Sequence, residues 1–125
     1  MAAMASWRDA LPPSAAHDAV DALNARPAFT ALVYPNIPQA NFNATMPPTF
    51  LLVGEKDSVA IGDAVPELFL QLKHAGIPAE MHVLGGLGHG FGIRETSPPH
   101  LAIWPMLFVN WLDDRGFLKP LSSRN

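Results

Sequence analysis

Two polar residues follow short apolar runs, where an α/β chain tends to place its chemistry. Thr49–Gly54 (T-F-L-L-V-G) stops at a glycine, and Asp57 stands just past it. Ala79–Leu84 stops at Gly85-Gly86, and His89 follows between Gly88 and Gly90. A stretch of helical periodicity lies between the two runs. The order is therefore strand, acid, helix, strand, base. A carboxylate in the first turn can accept a hydrogen bond from an imidazole N–H, fix its tautomer and stabilise the imidazolium. Histidine changes charge near neutral pH and serves as a general base. Acid before base is the order of a Ser…Asp…His hydrolytic site, and Asp57 and His89 are the candidate catalytic residues.

Each residue has a plainer explanation. Asp57 also suits the start of an Asx-type turn in D-S-V-A, and His89 can be an exposed loop histidine beside flexible glycines. Their joint placement, one helix and one strand apart, favours the pair. The nucleophile is harder to find. A serine elbow needs G-x-S-x-G on a strand-to-helix turn, and none of Ser6, Ser14, Ser58, Ser97, Ser122 and Ser123 lies between such glycines. Glu55 and Lys56 read as solvated turn residues. His17 falls in a polar loop, His74 ends a helix, His82 lies inside a strand, and His100 opens a helix. No histidine pair has H-x-x-x-H spacing and no carboxylate cluster accompanies one, so neither a metal nor a cofactor is expected.

The elements that must position the pair follow from periodicity and punctuation. Met1–Ala10, rich in Ala and Met, predicts a short helix stopped by Pro12-Pro13. Asp18–Ala25 predicts one or two helical turns. Ala28–Tyr34 (A-F-T-A-L-V-Y) predicts a first strand ending at Pro35, and Pro35–Pro48 a long loop. Thr49–Gly54 is the second strand, apolar on both faces as in the interior of a parallel sheet. Val65, Leu68, Phe69 and Leu72 make one apolar stripe and predict a helix over Asp63–Ala75, capped by Asp63, with Pro66 in its first turn and Gly76 ending it. Ala79–Leu84 is the third strand. Ser97-Pro98-Pro99 predicts the start of a last helix with Leu101, Trp104, Phe108, Trp111 and Leu112 on one face. Pro105 should kink that helix or shift its effective start, and Gly116 should end it. A helix between two strands makes a parallel crossover, so the class is α/β.

Composition narrows the functions available. The chain has 125 residues, 49% of them apolar, enough for one domain with a core and too apolar for disorder. A net charge of −3 without a basic stripe argues against nucleic acid as a partner. With no cysteine, disulfides, thiolate catalysis and Cys-ligated zinc are excluded. No apolar run is long enough for a membrane span. The first residues lack the basic and apolar regions of a signal peptide, which leaves the cytoplasm as the default address.

Several segments together carry a family likeness: D-A-V-D-A-L-N-A-R-P-A-F-T-A-L-V-Y-P, F-L-L-V-G-E-K-D-S-V, A-G-I-P-A-E-M-H-V-L, G-L-G-H-G-F-G and N-W-L-D-D-R-G-F-L. In this order the chain resembles the C-terminal half of an α/β-hydrolase of the lipase/esterase kind that includes acetyl-xylan- and feruloyl-type carboxylesterases. The resemblance implies a partial α/β-hydrolase fold, one domain over 1–125, with a three-stranded parallel sheet and flanking helices. It implies that Asp57 is the triad acid, that His89 is the triad base, and that the substrate is a small-molecule ester. Met1–Ser6 looks like the helix after the nucleophile elbow, so the expectation is a truncated hydrolase whose serine segment is missing and whose own activity is weak or absent. A second reading is a non-catalytic α/β fragment acting as an oligomerising or binding module. Without the strand that would flank it, Ala28–Tyr34 is expected to be an edge strand through which the chain forms a homo-oligomer.

Overall fold

The computed structural model describes residues 26–37, 45–93 and 99–119. The expected helices at Met1–Ala10 and Asp18–Ala25, and the Ser97 cap, lie outside the described residues. The elements are β1 (Thr30–Val33), β2 (Thr49–Gly54), α1 (Val59–His74), β3 (Ala79–Leu84) and α2 (Trp104–Asp114). They fall in two compact units, one ending at His89 and the other starting at Gly90.

The first unit is built on a three-stranded sheet of order β1-β2-β3, parallel throughout. This is the α/β architecture expected from the sequence. All six residues of β2 are buried, as its continuous apolar run requires of the middle strand. Side chains alternate across the sheet. Leu51 and Val53 join Leu32, Met46 and the α1 residues Val65, Leu68 and Leu72 in one core cluster. Phe50 and Leu52, on the other face of β2, are equally excluded from water. Full burial of each such side chain contributes roughly 1.5–3 kcal/mol. β1 is shorter than Ala28–Tyr34: pairing with β2 begins at Thr30↔Thr49 and ends at Val33↔Leu52, and Tyr34 leaves the strand with φ 39°.

α1 departs from expectation at its start. It begins at Val59, not Asp63, with Ser58 at the N-cap in extended backbone. The Ser58 carbonyl accepts the N–H of Ile61 (3.0 Å) and of Gly62 (2.7 Å). Asp63 is therefore no cap, and Pro66 lies in the helix interior. Gly62 and Pro66 suggest a late start because each lowers helix propensity. The buried stripe of Val65, Leu68 and Leu72 outweighs that local cost. The C-terminus is as expected. Gly76 takes φ 71°, its N–H bonds Lys73 O, and Ile77 N–H bonds Leu72 O at 2.9 Å. That pair of bonds is a Schellman cap.

In the second unit, α2 starts at Trp104 with Pro105 in its first turn. The effective start has shifted, the outcome that avoids a clash between the proline ring and a preceding turn. Residues 99–103 form turns instead. Leu101, Trp111 and Leu112 are buried, on the face expected. Trp111 lies between Phe108 and Phe117, with ring centroids 6.1 and 6.0 Å away. Gly116 ends the helix, again with a Schellman pair: its N–H bonds Asp113 O and Phe117 N–H bonds Leu112 O.

Candidate active site

The site forms where the loops after β2 and β3 meet. Beyond Gly54 the chain makes a tight turn, closed by Asp57 N–H on the Gly54 carbonyl at 3.1 Å. The loop after β3 is fastened to that turn by three bonds. Glu55 N–H donates to Leu84 O (2.9 Å) and Lys56 N–H to Leu87 O (2.8 Å). Gly86 N–H donates to Glu55 Oε2 (2.6 Å). Gly54 makes this approach possible, because a Cβ there would collide with the Leu87 carbonyl and stand 2.9 Å from the Gly88 oxygen. The glycine at the end of β2 is thus needed for the space it leaves.

Fastened in this way, His89 reaches Asp57. The Nδ1–H of His89 donates to Asp57 Oδ2 at 3.1 Å, and Ser58 N–H donates to Asp57 Oδ1 at 2.7 Å. The Asp57 side chain has no exposure to water, whereas that of His89 is 54% exposed. A buried carboxylate is costly unless hydrogen-bonded, and here each oxygen has a donor. An ionised carboxylate only accepts, so the proton of this bond belongs to Nδ1. In the neutral imidazole this tautomer leaves Nε2 with its lone pair, the form a general base requires. The ring of Tyr34, at the end of β1, meets the imidazole edge-to-face, with centroids 5.0 Å apart and planes at 67°.

No protein-family model matches the chain, and no curated protein does. Solved structures do. The chain is similar to an acetyl ester-xyloside bifunctional hydrolase from Caldicellulosiruptor lactoaceticus, with TM-score 0.72 and 22% identity over 93% of this chain and 52% of that one. It is similar to a thermophilic esterase from the Planctomycetes species Thermogutta terrifontis, with TM-score 0.65 and 15% identity over 86% of this chain and 49% of that one. A third is MGS-M1, an α/β-hydrolase enzyme from a Medee basin deep-sea metagenome, with TM-score 0.58 and 23% identity over 71% and 44%. The fold is a partial α/β-hydrolase fold. The chain spans about half the length of each of these proteins.

Within this partial α/β-hydrolase fold the structure brings Asp57 and His89 together, and neither of the other described histidines of the first unit joins them. His74 closes α1. His82, inside β3, bonds Glu80 Oε1 at 2.8 Å and has its ring 5.4 Å from that of Phe50. His100 lies in the turns before α2, and His17 is outside the described residues. Among the described residues no group of three or more His, Asp or Glu comes together as a metal site, and no helix is long and apolar enough to cross a membrane. Ser58 stands beside Asp57, but its hydroxyl makes no capping bond and it serves the site through its backbone N–H.

Sequence reasoning missed two residues. Glu55 is an exposed turn residue as expected, yet its carboxylate ties down the histidine loop. The signal was Gly85-Gly86, whose bare backbone N–H groups invite an acceptor. In the sequence Tyr34 stands only as the last residue of a strand. Its contact with His89 depends on a backbone conformation that sequence does not display.

Proposed function

We propose that this chain supplies the acid–base half of a carboxylic-ester hydrolase site. Asp57 orients and His89 is the base, then the acid. A serine hydroxyl attacking the ester carbonyl gives its proton to His89 Nε2 as the new C–O bond forms. The imidazolium is stabilised by Asp57 across the Nδ1–H bond. His89 then returns the proton to the departing alkoxide, and water repeats the cycle on the acyl-serine. The observation that carries this reading is the hydrogen bond from His89 Nδ1 to the buried carboxylate of Asp57, formed between loops that follow adjacent parallel strands. Catalytic groups of open α/β sheets gather at that edge. The likeness to esterase folds supports a small carboxylic ester as substrate.

The nucleophile in this proposal belongs to a segment outside the sequence, since no serine of the chain sits in G-x-S-x-G. The chain alone is then at most a weak catalyst on activated short-chain esters. Hydrolysis of p-nitrophenyl acetate tests the assignment. A slow rate that is lost in His89→Ala and reduced in Asp57→Asn is expected. Background attack by an imidazole would not depend on Asp57, so a rate indifferent to that change sinks the proposal. Rapid stoichiometric labelling of one serine by a fluorophosphonate, abolished by heat denaturation, would show instead that the chain holds its own nucleophile.

A further inference from the structure

Among the described residues Tyr34 alone, glycines aside, has a positive φ, at 39°. An L-residue there meets its own Cβ against the following carbonyl, and for a bulky side chain the conformation is a genuine outlier. Pro35 follows directly and narrows the backbone of Tyr34 further. The conformation is nonetheless held firmly. The Tyr34 N–H still continues the sheet, donating to Leu52 O at 2.7 Å, so the chain bends within one residue of β1. A glycine would make that bend without strain. The chain carries a tyrosine instead, and the ring that results meets the imidazole of His89 at 5.0 Å in an edge-to-face contact. Residues held in such backbone regions gather where surrounding structure puts them to use.

We propose that Tyr34 is a positioning residue for His89. Its left-handed backbone directs the aromatic ring onto the imidazole and holds His89 in the orientation in which Nδ1 faces Asp57. Asp57 supplies one contact, on the ring nitrogen, and a single hydrogen bond leaves the half-exposed imidazole free to turn about its own bonds. Tyr34 supplies the second contact, on the ring itself. An edge-to-face pair prefers a defined mutual angle, so the two contacts together fix the ring plane. The catalytic meaning of this positioning rests on His89 being the base, but the positioning can be measured without any activity.

The experiment uses the full chain labelled with nitrogen-15 at histidine. Imidazole nitrogen shifts report how much of His89 carries its proton on Nδ1 and bonds Asp57. Tyr34→Phe should leave that population unchanged, because the ring is kept. Tyr34→Leu, which keeps bulk but not the ring, should lower the ratio of bonded to unbonded His89 by about two- to ten-fold, the share an aromatic pair contributes. Tyr34→Gly should lower it equally and melt higher than Tyr34→Ala, because both lose the ring and only glycine adopts the positive φ without strain. Unchanged His89 shifts in the Leu and Gly variants overturn the proposal. A Gly variant that melts no higher than the Ala variant overturns the strained-positioning account as well, since it would make Tyr34 an ordinary packing residue. If the shifts respond as expected while ester hydrolysis proves indifferent to His89, the positioning stands and the proposed catalysis fails.

Discussion

The carboxylate of Glu55 accepts the N–H of Gly86 at 2.6 Å across 31 residues of sequence. It runs alongside the Asp57–His89 bond, which spans 32. One bond brings the histidine loop down onto the turn, and the other uses its position there. The expected consequence is that Glu55 governs loop order without touching the imidazole. Glu55→Ala should speed amide hydrogen exchange over residues 86–90 by roughly five-fold, what a partly exposed charge-assisted bond of about 1 kcal/mol confers. Glu55→Gln, which keeps an acceptor, should show a smaller rise. Equal exchange in all three chains would show that the backbone bonds of Lys56 and Glu55 hold the loop without help.

Gly54 should tolerate no side chain. Gly54→Ala places a methyl group against the Leu87 carbonyl, backbone that can yield only by moving the loop. The expected cost is on the order of 2–3 kcal/mol in urea denaturation, with loss of the His89–Asp57 bond by imidazole shifts. A neutral substitution would mean that the two loops part easily.

Asp57→Asn should preserve shape and reverse the chemistry. The amide can present N–H to Nδ1, which favours the wrong tautomer and moves the proton to Nε2. Esterase activity that depends on the pair should fall by up to about 10⁴-fold where the serine is present. In this chain alone, the imidazole nitrogen shifts should exchange their assignments. Retention of the Nδ1–H form would contradict the geometry described above.

Leu72→Ala should cost about 2–5 kcal/mol, because Leu72 is fully buried in the cluster beneath the sheet. Thermal unfolding followed by circular dichroism measures it. A loss below 1 kcal/mol would show a core that collapses readily around the gap.

Self-association is expected through β1, which ends the described sheet on one side. Val33→Lys is the informative change, because Val33 is only half-buried, whereas Leu32, at 2% exposure, belongs to the core and a change there would disturb packing as well as the edge. Sedimentation should find a homo-oligomer that the lysine weakens. A stable monomer at high micromolar concentration would refute the association.

Much of this molecule was legible in its sequence, and the reasons differ by element. β3 matched its run with none of its residues fully buried, its end marked by Gly85-Gly86, whereas β2 matched because full burial dictated both type and length. The stripe through Val65, Leu68 and Leu72 identified α1 for the same reason. Its start lies earlier than the local pattern indicates, because Gly62 and Pro66 are locally unfavourable and packing overrides them. The glycines at 76 and 116 marked helix ends through their left-handed conformation. Asp57 and His89 were found by position relative to strand ends, a rule of topology. Glu55 and Tyr34 were not, since their roles arise from the way two loops and a strand end converge, and local pattern records no such convergence.

The pairing of β2 with β3 sets Gly54 opposite Leu84, and the acid and the base are reached by short fixed paths from those two positions. The intervening helix contributes to neither path. Insertions or deletions are therefore unequal in their effects. A residue added within β2 or β3 slips the ladder and turns every side chain to the opposite face, which takes the site apart. Length added at the helix-to-β3 connection extends a closed loop at little entropic cost. Relatives of this chain should accordingly vary in the reach of that crossover while keeping the count from Gly54 to Asp57 and from Leu84 to His89.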